Sequence, residues 1–107
     1  MSDHKAPKHL KADGLAYWES VTRDFNLEPF HLPILKTACE CLDRAAEARA
    51  AIEAHGVVTV PPEGGMVRAN PAAKIERDSW AMFLRAQGEL GLRTDEPAAM
   101  GRPPKGY

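Results

Sequence analysis

The chain has 107 residues, with 14 Lys and Arg against 15 Asp and Glu. That length gives room for one domain with a modest core. No apolar run approaches the thickness of a bilayer and no apolar segment follows the basic N-terminus, which excludes a membrane span and predicts a cytoplasmic protein. The charges are unevenly placed: residues 1–11 carry +2, residues 12–91 carry −4 and residues 92–107 carry +1. Basic ends around an acidic middle suit a chain that offers cationic arms to a polyanion, because neutralising phosphates releases counterions.

Residues 1–9 are polar, basic and contain Pro7, which predicts a disordered arm. A first helix is predicted over about 12–25, with Leu15, Trp18, Val21, Thr22 and Phe25 on one side at 3.6-residue spacing. Asp13 falls in its first turn, where a carboxylate favours the helix dipole, and Asn26 is a natural stop. Pro29 introduces a second helix, predicted over about 30–55 and closed by Gly56. At 1.5 Å per residue it would run to nearly 40 Å, long for a domain of this size.

Along that helix Leu35, Ala38, Leu42, Ala45 and Ile52 form a heptad-type seam, with Arg49 as its one polar interruption. Ile34, Cys41 and Ala48 form a second stripe beside it. Two apolar stripes are more surface than one short chain is expected to hide, so the helix predicts an oligomer with Leu35, Leu42 and Ile52 in its interface.

Val57–Val60 and Met66–Arg68 read as short strands flanking the turn-rich stretch Pro61-Pro62-Glu63-Gly64-Gly65. Asn70-Pro71 then opens a last helix, with Asn as N-cap and Pro at the first helical position, running to about Leu90 and stopping at Gly91-Leu92. Ile75, Ser79, Met82, Phe83, Ala86 and Leu90 make up its predicted core face. Trp80 and Leu84 lie off that face, a second patch that suits a contact with another chain or a hairpin folded over it; they are candidate oligomer contacts. Lys74, Arg77 and Arg85 share a cationic outer sector. Pro97, Gly101, Pro103, Pro104 and Gly106 make residues 93–107 a predicted disordered tail.

The predicted fold is therefore mainly α: three helices (about 12–25, 30–55 and 71–90), a small β-hairpin (about 57–68) and an oligomeric assembly. Residues 10–92 form the helical oligomerisation domain, between a basic arm (1–9) and a tail (93–107).

Motifs for chemistry are missing. There is no phosphate-binding Gly loop with its Lys and Ser/Thr, and no nucleophile elbow. His4, His9, His31 and His55 show no ligand spacing, so no metal site is predicted. Cys39 and Cys41 diverge by about 200° on a helix and read as reduced packing residues. Glu40, Asp43 and Glu47 stand at helical spacing and read as a solvated acidic face. No catalytic residue and no cofactor are expected.

One resemblance emerges. The stretch Asn70-Pro71-Ala72-Ala73-Lys74-Ile75-Glu76-Arg77-Asp78, continuing to Phe83 and Glu89-Leu90-Gly91-Leu92, resembles the closing helix of a branch of phage terminase small subunits. The early Leu15-Ala16-Tyr17-Trp18 and the run from Leu35 through Cys39-Glu40-Cys41-Leu42-Asp43-Arg44 match that branch in the same order. The resemblance covers about residues 10–92. It implies a non-catalytic DNA-packaging factor that forms a ring, contacts double-stranded DNA and regulates the large terminase subunit, which holds the ATPase and nuclease.

On that footing Lys5, Lys8, Lys11, Lys74, Arg77 and Arg85 are candidate DNA contacts, and Arg93, Arg102 and Lys105 are candidate contacts to the large subunit. Two features depart from the family pattern. Lys11 stands where a Ser or Thr cap is common, and there is no separate helix-turn-helix domain, which speaks against sequence-specific recognition. A compact version of this kind suits a phage, a prophage or a gene-transfer-agent system that packages DNA with little sequence preference. The alternative reading is a small helix-turn-helix transcription regulator. Its would-be recognition helix starts Phe30-His31-Leu32-Pro33-Ile34, apolar where base-reading helices present Arg, Asn, Gln or Ser.

Overall fold

A computed structural model describes residues 4–60 and 63–91. There are three helices, α1 (Ala12–Asp24), α2 (His31–His55) and α3 (Pro71–Leu90), with one small antiparallel pair, β1 (Val58–Thr59) and β2 (Arg68–Ala69), between α2 and α3. The strands pair Val58 with Ala69 and Thr59 with Arg68, which makes them shorter than the sequence predicts. The mainly α architecture is the expected one. Pro61, Pro62, Leu92 and the tail from Arg93 onward lie outside the described residues.

The long helix α2 is the spine, and the other two helices lie along it. Its apolar stripes divide between two neighbours of the same chain. Leu35 and Cys39 pack with Trp18 and Val21 of α1, with Leu10, and with Leu90 at the end of α3. Ala38 and Cys41 pack against Phe83 and Ala86, while Ala48 and Ile52 meet Ala72 at the opposite end of α3. This order makes α2 and α3 antiparallel. Alanines along the contact leave room for the two backbones to approach closely. Arg49, the interruption of the seam, forms a two-pronged ion pair with Glu76 of α3 at 2.9 and 2.8 Å.

These contacts correct the sequence reading at the centre of its argument for an oligomer. Leu35 is 0% exposed and Ile52 is 7% exposed within a single copy, and Leu42 is half-buried. The two stripes of α2 are covered from within, by α1 on one side and α3 on the other. The core face of α3 is also narrower than its periodicity predicts. Ala72, Ser79, Phe83, Ala86 and Leu90 are buried, whereas Ile75 and Met82 are each 44% exposed on one flank. Leu15 of α1 is likewise at the surface.

The helix ends follow from local chemistry. Gly91 closes α3 in the left-handed region (φ 73°), and Gly56 closes α2 at φ 84° with its N–H on the carbonyl of Ile52. Asn70 caps α3 through its Oδ1, which accepts from the Ala72 N–H at 3.0 Å. Its Nδ2 donates to the Gly56 carbonyl at 2.8 Å, and its own N–H donates to the Val57 carbonyl at 2.8 Å. One residue, through its side chain and its backbone N–H, therefore ends α2, closes the hairpin base and starts α3.

Residues 4–9 of the expected arm (1–9), with Leu10 and Lys11, lie against the helices as an N-terminal strap. Leu10 is buried in the core, Ala6 packs on it, and the Trp18 indole N–H donates to the His4 carbonyl at 3.1 Å.

Candidate functional site

The start of α1 has no side-chain cap of its own, since Lys11 in that position cannot accept. The acceptor comes from α2. The Asp43 carboxylate takes the Lys11 N–H on Oδ2 and the Gly14 N–H on Oδ1, both at 2.7 Å. Asp43 is only 9% exposed, and these backbone donors satisfy it. Gly14 is the counterpart. A Cβ there would sit 2.5 Å from Asp43 Oδ2 and 2.7 Å from the Cys39 carbonyl oxygen, so only glycine lets the two helices close.

Two side-chain contacts, one of them an ion pair, flank this joint. His9 Nε2 lies 2.7 Å from Glu40 Oε2, and Lys11 Nζ donates to Glu47 Oε2 at 2.6 Å. The hydrogen bond to Glu47 raises the Lys11 pKa above its ordinary value. His9, Lys11, Glu40, Asp43, Arg44 and Glu47 line an open depression of about 250 Å³. Glu40, Asp43 and Glu47, read from spacing as a solvated face, are thus the row that receives the N-terminal strap. The sequence does hold a trace of this: a helix start without a cap, followed three residues later by a glycine.

The candidate DNA contacts fall on two separate elements. Lys5, Lys8 and Lys11 belong to the strap, where Lys5 and Lys8 are exposed and Lys11 is paired. Lys74, Arg77 and Arg85 are exposed on the outer side of α3 and span about 16 Å along its axis at 1.5 Å per residue. Lys74 donates to Asp78 at 2.6 Å, and this bond holds the Asp78 carboxyl below the usual carboxylate range. Arg77 approaches the same carboxylate at 4.0 Å.

Of the candidate interface residues, Trp80 is 44% and Leu84 60% exposed, while Leu35 and Ile52 are enclosed. Trp80 is held edge-on against Phe83, with ring centroids 5.7 Å apart, and Phe83 in turn meets Tyr17 at 5.1 Å. At about 100° per residue, Ile75 and Met82 emerge on the flank of α3 opposite to Trp80 and Leu84. There, Ile34, Thr37, Met82, Arg85, Ala86 and Glu89 line an open groove of about 180 Å³ between α2 and α3. The candidate large-subunit contacts Arg93, Arg102 and Lys105 lie outside the described residues.

The remaining polar groups are structural. Cys39 and Cys41 are free, buried and packed in different clusters, and burial pushes the Cys39 thiol up to about 12. His31 is buried at the start of α2, where its Nδ1 accepts from the Glu28 N–H at 3.0 Å. Its neighbours Leu32 and Ile34 pack on the core, while Phe30 and Pro33 are exposed. Among the described residues no group of His, Cys, Asp and Glu is placed to hold a metal ion, and no helix is long and apolar enough to cross a membrane.

Comparison with curated proteins and with solved structures found no match. The sequence model of the family described as phage terminase, small subunit, matches residues 6–105. Because that match takes in most of the strap, all three helices and the hairpin, the chain belongs to the phage terminase small-subunit family.

Proposed function

We propose that the chain is the non-catalytic small subunit of a DNA-packaging terminase. It assembles with copies of itself, contacts double-stranded DNA and regulates the large subunit. The family match over residues 6–105 carries this reading. Assembly rests on α3 rather than on the stripes of α2. Trp80 and Leu84 project from one flank, and the groove beside Met82 lies on the other. Unlike faces on opposite flanks permit head-to-tail contacts, and such contacts close into a ring when the rotation between copies allows it.

DNA contact is assigned to Lys5, Lys8 and Lys11 of the strap and to Lys74, Arg77 and Arg85 of α3. These side chains reach phosphates rather than base edges, which suits packaging with little sequence preference. The tail residues Arg93, Arg102 and Lys105 are assigned to the large subunit. Action takes place in the host cytoplasm, where the DNA to be packaged is found.

Light scattering coupled to size exclusion tests the assembly: a multimer is expected, reduced to smaller species by Leu84→Asp. A monomer at high concentration would sink the ring. For DNA, Lys74→Ala/Arg77→Ala/Arg85→Ala should lower the slope of log affinity against log salt by about 0.9 for each phosphate that is no longer neutralised. An unchanged slope removes these residues from the DNA surface. Deletion of residues 93–107 should abolish stimulation of the large-subunit ATPase, and retained stimulation would refute that docking site.

A further inference from the structure

The strap contains the chain's densest run of cations, and each carboxylate facing it on α2 is occupied by it. Glu40, Asp43 and Glu47 follow one another at spacings of three and four, so they share one face of the helix. Glu40 meets His9 at 2.7 Å, Asp43 takes two backbone N–H groups at 2.7 Å, and Glu47 meets Lys11 at 2.6 Å. At the far end, the Trp18 indole fastens the His4 carbonyl.

We propose that the row Glu40, Asp43 and Glu47 is an internal competitor of DNA, holding the cationic strap so that duplex phosphates gain its full contact only by displacing Glu40 and Glu47. This rests on the reading that the strap touches DNA. Carboxylate and phosphate oxygens are alternative acceptors for the same donors. Asp43 is buried and bound to backbone, so it stays in place as the anchor of α1. The side chains of Glu40 and Glu47 are 33% and 56% exposed, and can be exchanged for phosphate without unfolding the joint. Lys5 and Lys8 are exposed and make the first contact; His9 and Lys11 transfer afterwards. The strap thus binds in two stages, and the second is resisted by the protein itself.

The test uses the full chain as Glu40→Gln/Glu47→Gln, with Glu53→Gln/Glu63→Gln as a control of equal charge change on exposed positions away from the strap. Amide exchange of residues 4–11 is followed without DNA, and affinity for a short duplex is followed by fluorescence anisotropy over a salt series. The expected result is faster exchange in 4–11 and a gain in affinity of roughly two- to tenfold over the control, the range set by two exposed polar contacts. The gain should vanish when Lys5→Ala, Lys8→Ala and Lys11→Ala are added. Unchanged exchange, a gain no larger than the control's, or a gain that survives removal of the lysines would each overturn the mask. If the lysine-free chain alone binds DNA as tightly as the wild type, the fault lies instead with the assignment of DNA to the strap. The exchange result distinguishes these cases because no DNA is present in it.

Discussion

Two neighbours of α2 are secured in contrasting ways. On its acidic face, α1 is fixed by a buried carboxylate, a glycine that nothing larger can replace, and a wall of Trp18, Val21, Leu35 and Cys39. At its C-terminal end, the hairpin is held by Asn70 at the base, while Val57, Val58, Val60, Met66 and Val67 are all 52–82% exposed. Both regions are small and both contain apolar side chains. Interlocking shape and charge make the first intolerant of change. The second has a secured base and an open remainder, so its stability within one copy depends on one asparagine.

The largest effect expected on this contrast is at Gly14. Gly14→Ala puts a methyl into Asp43 and the Cys39 carbonyl and should destabilise by about 3 kcal/mol in denaturant unfolding, the upper end for overpacking. A loss below about 1 kcal/mol would mean that the joint can open without cost. Asp43→Ala leaves the Lys11 and Gly14 N–H groups unpaired and should cost about 2–3 kcal/mol, with Asp43→Asn recovering part of it. Equal losses for the two variants would show that charge rather than hydrogen bonding holds α1.

The thiol beneath this joint gives a pH signature. Because burial raises the Cys39 pKa from 9.0 to about 12, the unfolded chain releases this proton first as pH rises. Its contribution is complete below pH 9 and should erode towards pH 12, while a Cys39→Ser chain should lack that part of the decline. An identical alkaline profile for the two would contradict the assignment.

At the hairpin, Asn70→Ala should cost about 1 kcal/mol and speed amide exchange in both the hairpin and the first turn of α3 together. Exchange that rises in only one of them would separate the two functions of Asn70. The smallest effect is expected from Val58→Thr or Val67→Thr, within about 0.5 kcal/mol in a dilute monomer because both side chains are exposed. A larger loss that depends on protein concentration would show that another copy covers them.

The helices were legible in the sequence because their punctuation is local. Asn70-Pro71 and the glycines at 56 and 91 act within a turn, and the 3.6-residue pattern of Trp18, Val21 and Thr22 needs no knowledge of the partner. The partner of α2 was not legible. Two apolar stripes show that neighbours exist, but not whether they belong to the same chain, and here α1 and α3 fill that place. The role of Asp43 was hidden for a related reason. A carboxylate at helical spacing from Glu40 and Glu47 looks solvated until the fold brings Lys11 and Gly14, some thirty residues away, to its two oxygens. Trp80 and Leu84 stand off the core as their spacing predicts because α3 packs by a single face, so the wheel alone excludes them.

The closure made by Asn70 has a practical consequence. Since the chain leaves and re-enters the helical pair at nearly the same point, whatever lies between Val57 and Ala69 is topologically a side branch. Its outer bend at Gly64 has open space around it and a φ of 81°. A peptide tag, a fluorophore or a cross-linker grafted there should leave the helical scaffold undisturbed and report on whatever approaches from that side.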